Sequence, residues 1–461
     1  MLASLLILVV LLPACRNTAE EVTVEPTEEV SSIPTETSEA PVEPSASEAE
    51  PESEAPSEAE ITTDVGVTAE PCPNPVNADN GCIYLGSISD LTEGPFAALG
   101  QSITASQAAF WGKVNAEGGI GGFDIDVATY VRDNKYQPEV HNQVWQEIKP
   151  NVLALAQSLG SPQTAAILDD LAANDVVAAP ASWTSNWAFQ DVILESGVNY
   201  CFESMNSMEW AQENLDAPQS VMAVHDPGDY GADAAAGVKI AADALGISFI
   251  NQETLPAPAG SPDEAIAAIV AQAPDLVMIT TGSSDAERIV GETVAQGYAG
   301  QFIGTGPAWR PGLQTGAAAA ALIERYHVSG PWPTFTSDTP GHQAMREALG
   351  PDVPPNDGFT SGWAWSYPLK AALEAAAESG DMTRAGLKAA IASLTAVDYE
   401  GMLPEGAGNY ADMPAGSVRA SVISAISAES PTGLEVVQDF FTSTIAEEYE
   451  FTGPCFVEVT L

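Results

Sequence analysis

The sequence predicts an α/β fold built from mostly parallel sheets with helices on both faces. Two observations lead there. From Cys82 to Gly304 short apolar runs alternate with helix-length, Ala-rich stretches, the order that parallel sheets require. Within this region the stretch CIYLGSISDLTEGPFAALGQSITASQAAFWGKVNAEGGIGG, Cys82 to Gly122, reads as strand, loop and helix. Its loop leaves the C-terminal end of the strand, where open parallel sheets bind ligands.

Taken in order, Ile83 to Ile88 is a short apolar strand that runs into the loop SDLTEGP. Phe96, Leu99, Ile103, Phe110 and Val114 then share one face of a helix. Gly118 and Gly119 end that helix, because glycine adopts left-handed geometry without penalty. Ile125 to Val131 is the next strand, with Asp133 just past its end. Further strands are expected at Val152–Ala156, Val176–Ala179, Val221–Val224, Ile247–Ile250, Leu276–Thr280 and Gln301–Gly304. Ser161-Pro162 and Ser261-Pro262 each place a capping serine before a proline at the first helical position, and Glu264 completes a capping box with Ser261. Asp285–Gln296 and Thr383–Leu394 read as helices.

The chain ahead of Cys82 is of a different kind. MLASLLILVVLLPAC has an apolar run of about twelve residues, too short to span a bilayer and suited to an export signal. Leu12-Pro13-Ala14-Cys15 resembles a lipobox, which makes residues 1–15 a lipoprotein signal and Cys15 the lipidated mature N-terminus. Residues 16–70 are dominated by Glu, Pro, Ser, Thr and Ala. Such a segment buries too little apolar surface to offset chain entropy and is expected to be a disordered tether. As a flexible coil its ends would lie on the order of 40 Å apart. The folded part is then 71–461.

Of the five Cys, Cys72, Cys82, Cys201 and Cys455 remain beyond Cys15. An even number in an exported protein points to two disulfides, for which three connectivities exist. Cys72–Cys82, closing a short loop before the first strand, is favoured, and Cys201–Cys455 would then clip the C-terminal tail to the body. The chain carries 14 basic and 64 acidic residues, a net charge of −50, and removal of the first 70 residues still leaves −35. This charge repels nucleic acid and anionic lipid headgroups. Four His and dispersed Cys argue against a zinc centre, and no cofactor is expected.

Thr92-Glu93-Gly94-Pro95, Gly100, Asn115-Ala116-Glu117-Gly118-Gly119-Ile120-Gly121-Gly122 and Asp133 resemble the opening of the type I solute-binding proteins, the receptors of ABC importers for branched-chain amino acids, amides, urea and similar solutes. The resemblance implies two lobes joined by three hinge crossovers, near Cys201–Ser207, Val328–Trp332 and Ser417–Ser427. Lobe 1 would hold about 82–203 and 331–416, lobe 2 about 204–330 and 417–461. It further implies an extracytoplasmic receptor, tethered through Cys15, that hands an amino acid or related small polar solute to a permease and its ATPase. Ser161 and Thr164 match the family's first ligand loop; the second is matched by Ala181, Ser182, Trp183 and Thr184. From lobe 2, Tyr230 matches the family's Tyr-Gly and would reach the ligand's polar end. At the position of the family's ammonium-gripping acid this chain has Asn206 or Ser207, with Glu209 as a substitute in another register. That departure disfavours a plain α-amino acid, since a neutral amide pairs less well with an ammonium than a carboxylate does. Ser283 and Trp309 lie in further lobe-2 loops, and Leu99 matches a position that contacts the ligand's apolar tail. Trp363 and Trp365 are assigned to core packing.

Two other readings use the same residues. A sensing domain of the same fold would report ligand to a receptor rather than to a permease. An adhesive surface lipoprotein that has lost binding is a structural alternative. An exported hydrolase is disfavoured: there is no G-x-S-x-G, no H-E-x-x-H and no S-x-x-K with K-T-G, and His225 is the best remaining base candidate.

Overall fold

In the computed structural model, which describes residues 61–256 and 259–457, the strand Gly81–Ser89 is the spine of the first sheet. Every residue of this strand except Tyr84 is buried, as expected of a parallel strand covered on both faces. It pairs in parallel with Phe123–Asp133 and with Ala154–Leu159, which pairs in turn with Ala178–Ala181. Helix Ala97–Ala116 packs on this sheet, and Gly118 and Gly119 end it at φ of 116° and 77°. The expected strands at Leu276–Thr280 and Gln301–Gly304 form with those bounds, and the others shift by a few residues.

The fold begins earlier than the boundary at residue 70. Val67–Thr68 pairs antiparallel with Cys82 and Ile83, and Thr62–Thr63 pairs in parallel with Asp381–Met382. Composition misses this because the partners are remote: Val67 is buried only against the distant sheet. The signal segment, Cys15 and the tether up to residue 60 lie outside the described residues.

The second sheet has seven strands in the order Leu434–Phe441, Ser421–Ile426, Tyr326–Gly330, Gln301–Gly304, Leu276–Thr280, Ser220–His225, Ser248–Glu253. The five from Tyr326–Gly330 onward run parallel, and the two C-terminal strands are antiparallel. Sheet membership, with helices Pro340–Leu349 and Asp357–Ala364 packed on helix Ala97–Ala116, makes the chain cross between the two sheets three times: between strands Ala178–Ala181 and Ser220–His225, after strand Tyr326–Gly330, and before strand Ser421–Ile426. The expected first crossover, Cys201–Ser207, lies inside helix Tyr200–Asn214, whose N-terminus Asn199 caps by accepting from Phe202 N at 2.9 Å. That helix lies tightly on helix Asp229–Leu245. A Cβ on Gly237 would sit 2.3 Å from Cys201 O, so glycine is required at that contact.

Both disulfides form as Cys72–Cys82 and Cys201–Cys455. The second closes a loop of 254 residues, against 10 for the first. Loop-closure entropy assigns them about 5 and about 3 kcal/mol. Cys455→Ser should therefore cost more stability than Cys72→Ser, as read by urea denaturation. The tail carrying Cys455 is also held by Phe451, whose ring lies 4.9 Å from both Phe189 and Phe202.

Candidate functional site

Loops leaving the C-terminal ends of both sheets converge on one cavity. The first loop is fixed by two carboxylates. Asp90 accepts from Gly94 N at 3.0 Å and Phe96 N at 2.9 Å; Asp133 accepts from Leu91 N at 2.9 Å and from the Thr92 hydroxyl. This bracing sets Phe96 and the first turns of its helix, so that Phe96, Leu99 and Ile103 line the cavity.

The second loop follows strand Ala154–Leu159. Gly160 takes φ 102°, and helix Ser161–Ala165 starts directly after it. The Ser161 hydroxyl does not cap this helix. It is buried and without a hydrogen-bond partner, at the edge of the cavity. Thr164 turns inward: its hydroxyl lies 2.7 Å from Ser158 Oγ, which is 3.1 Å from His141 Nε2. His141 is tied to Asn134 at 3.0 Å, and burial pushes its pKa down to about 3, so it stays neutral. Thr164 shapes the loop and does not line the cavity.

The third loop follows strand Ala178–Ala181. Ala181, Ser182 and Trp183 line the cavity. Trp183 donates its Nε1–H to Ser196 O at 2.7 Å, and Ser182 Oγ accepts from Trp187 Nε1 at 3.2 Å. Thr184 is engaged elsewhere: it donates to Asp229 Oδ1 at 2.8 Å, and its neighbour Ser185 donates from its backbone N to Asp233 at 3.0 Å. Both bonds join the loop of the first sheet to helix Asp229–Leu245 of the second.

Tyr230 enters from that helix. Its ring lines the cavity, but its hydroxyl lies 3.1 Å from Thr305 Oγ1 and 3.3 Å from Thr281 O. It therefore supplies a ring wall rather than the expected polar reach. Asn206 is not at the site. It donates to Arg419 O and Ser421 Oγ, both at 2.7 Å, and accepts from Ser443 N at 2.9 Å, pinning the third crossover. Glu209 likewise accepts from Thr444 N and Ile445 N. A helix-facing amide reads the same in sequence whether it meets solute or backbone; only the tertiary partner decides.

Sequence reasoning missed half of the wall. Tyr136, Tyr200 and Trp365 complete it, with Leu159 and Pro307. Trp363 is a core residue, donating to the Tyr367 hydroxyl at 2.9 Å, whereas the Trp365 indole N–H is buried and unpartnered. Among the described residues no Lys, Arg, Asp or Glu lines this cavity. A larger outer cleft shares Phe96, Leu99, Trp183 and Pro307 with it and is lined further by Ser283, Trp309 and Arg310. Trp309 donates to Thr432 O at 3.0 Å, so its polar end is occupied. Both nitrogens of His225 are hydrogen-bonded, to Asp226 O at 2.8 Å and Asn251 Oδ1 at 3.1 Å.

Two sheets with a cavity where their loops meet is a receptor architecture, and the comparison with known families agrees. The model of the periplasmic binding protein family matches residues 83–415. The chain belongs to this family. It is a solute-binding protein of the type I fold, and membership implies a small-molecule ligand, an ABC transporter as partner and an extracytoplasmic place. Among solved structures it is similar to the fatty acid ABC transporter substrate-binding protein from Thermomonospora curvata, with 26% identity over 85% of this chain and 97% of that chain and a TM-score of 0.77. It shares its fold with a branched chain amino acid ABC transporter protein from Thermus thermophilus with bound valine, at 16% identity, 81% and 99% coverage and a TM-score of 0.66. A leucine binding protein from Thermotoga maritima is a further fold relative, at 15% identity, 77% and 98% coverage and a TM-score of 0.65. No curated protein matches the chain. Among the described residues of this family member no helix is long and apolar enough to cross a membrane.

Proposed function

We propose that this protein is the lipid-tethered receptor of an ABC importer and that the part of the solute it buries is apolar. One observation carries the ligand class: the inner cavity is walled by aromatic and aliphatic side chains with no ionised group among them. A free α-amino acid would bring two charges into this space and find a partner for neither, at a cost of several kcal/mol. The Thermomonospora curvata protein is a receptor for fatty acids, and that similarity supports an apolar body as well. The chemistry is capture alone. Closure of the loops around the solute excludes water and strengthens the few polar contacts. Tethering at Cys15 accounts for the apolar leader and the acidic segment that follows it.

A thermal-shift panel on the fragment from Glu58 onward tests this. Leucine and valine are expected to leave Tm unchanged at 1 mM, taken as about 100 times a micromolar-range Kd. At that excess a compact apolar-bodied solute adds roughly 2.7 kcal/mol. A large shift with leucine and none with any apolar-bodied compound would reject the assignment.

A further inference from the structure

Six of the side chains around the inner cavity are aromatic: Phe96, Tyr136, Trp183, Tyr200, Tyr230 and Trp365. Their rings are linked in one unbroken series. Centroid separations are 4.7 Å for Tyr136–Phe96, 5.8 Å for Phe96–Tyr230, 4.9 Å for Tyr230–Tyr200, 5.8 Å for Tyr200–Trp183 and 4.6 Å for Trp183–Trp365. Simple apolar packing would be served as well by Leu and Ile. A continuous series of π-systems adds what aliphatic walls lack, a negative quadrupole on every ring face.

The titratable groups behind the rings are all carboxyls. Asp90 is bonded to the backbone of Phe96, Asp229 to Thr184 beside Trp183, and Glu203 accepts from Ser329 Oγ at 2.5 Å. After burial, the groups that raise the Tyr136 phenol are Asp226, Asp90 and Asp229. For Tyr230 they include Asp226 and Glu203, and for Tyr200 they include Glu203. Lys135, next to Tyr136, is turned to Glu93 at 3.2 Å, and Arg310 belongs to the outer cleft, 3.7 Å from Glu287.

We infer that the inner cavity is an aromatic box for an N-methylated ammonium, so that the solute is a small quaternary ammonium compound with an oxygen-bearing end. This deepens the apolar-body reading above and rests on it. A methylated cation presents carbon to its surroundings and donates no hydrogen bonds, so it needs no carboxylate in contact with it. That fits a cavity with no carboxylate among the described residues of its wall. The two unpartnered buried donors at the wall, the Ser161 hydroxyl and the Trp365 N–H, receive the oxygen end. A carboxylate lodged among the rings would instead face carboxyl groups with no cation to offset its desolvation.

Calorimetric titration of the fragment from Glu58 onward with choline, glycine betaine and tetramethylammonium, against the neutral isostere 3,3-dimethylbutan-1-ol and the anionic 3,3-dimethylbutanoate, tests the charge directly. The shape is held constant and only its charge varies. At least one cation or betaine is expected to bind about tenfold or more tightly than its isostere, the factor that ~1.4 kcal/mol of cation–π attraction gives. Tyr200→Phe, which keeps the ring, should retain that preference, and Tyr200→Leu should abolish it. Equal or tighter binding of the alcohol or of 3,3-dimethylbutanoate, sensitive to Tyr200→Leu, would overturn the cation box and leave the apolar cleft standing. Binding of none of the five compounds overturns the cation box too. If the panel of apolar-bodied compounds also fails, the cleft reading falls with it.

Discussion

Replacing Trp183 by alanine is expected to destabilise the protein by about 3–5 kcal/mol, the range for truncating a fully packed aromatic side chain. Trp183 is 4% exposed and its ring lies 4.6 Å from Trp365, 5.4 Å from Trp332 and 5.8 Å from Tyr200. These partners come from different parts of the chain, so the hole cannot close by a local shift. Its Nε1–H also satisfies Ser196 O at 2.7 Å. Trp183→Phe separates the two contributions. It keeps most of the ring contact and leaves the Ser196 carbonyl without its donor, a loss of about 1–3 kcal/mol. Urea denaturation of both variants checks this. Trp183→Ala within about 1 kcal/mol of wild type would mean that the ring is not the keystone of the wall.

The two sheets were largely legible in the sequence for one reason. Strands such as Leu276–Thr280 are buried on both faces, so they read as unbroken apolar runs between helical stretches. The cavity was legible only where it hangs on strand ends. Leu99, Ser161, Ala181, Ser182, Trp183 and Tyr230 all line it, and all lie in or just after loops that leave strands. Tyr136, Tyr200 and Trp365 reach it from a turn, a crossover helix and a helix junction, and no local pattern marks such positions as facing solute. Hydroxyls misled in the opposite sense. Thr184 follows a strand as a ligand residue would, yet its acceptor Asp229 stands on the other sheet. Ser161 carries the local signature of a helix cap, yet Gly160 holds the N-cap position and the hydroxyl is left over. The C-terminal strands Ser421–Ile426 and Leu434–Phe441 escaped because they join the parallel sheet as an antiparallel pair at its edge, which only their neighbours reveal.

Stability should fall as pH rises from about 6.5 to about 8.5. Burial pushes Glu203 and Asp233 up to about 7 and Asp226 up to about 8. In the unfolded chain these carboxyls titrate near 4. Across the window the native state therefore holds protons that the unfolded state has already released. Stability changes with pH in proportion to protons bound by the unfolded state minus those bound by the native state; here that difference is negative, so the slope is downward. The contribution is fully present below pH 4 and is lost as pH passes the native pKa values. The histidines bound the window from below. His141 and His342 are pushed down by burial, to about 3 and about 4, and they destabilise the protein as pH falls below about 6.5. Above that value the histidines are neutral in both states and the carboxyls act alone. With one pKa unit worth about 1.4 kcal/mol, the loss over the window is on the order of 2–4 kcal/mol. Asp226→Asn should flatten the upper part of the curve and exceed wild type in Tm near pH 8.5. Asp226 is the informative choice because one of its carboxyl oxygens is already without a partner, so the amide removes the titration while disturbing few bonds. A wild-type Tm that is level or rising over this range would show that these carboxyls are ionised in the folded protein, and so that water or a cation reaches the acids behind the rings.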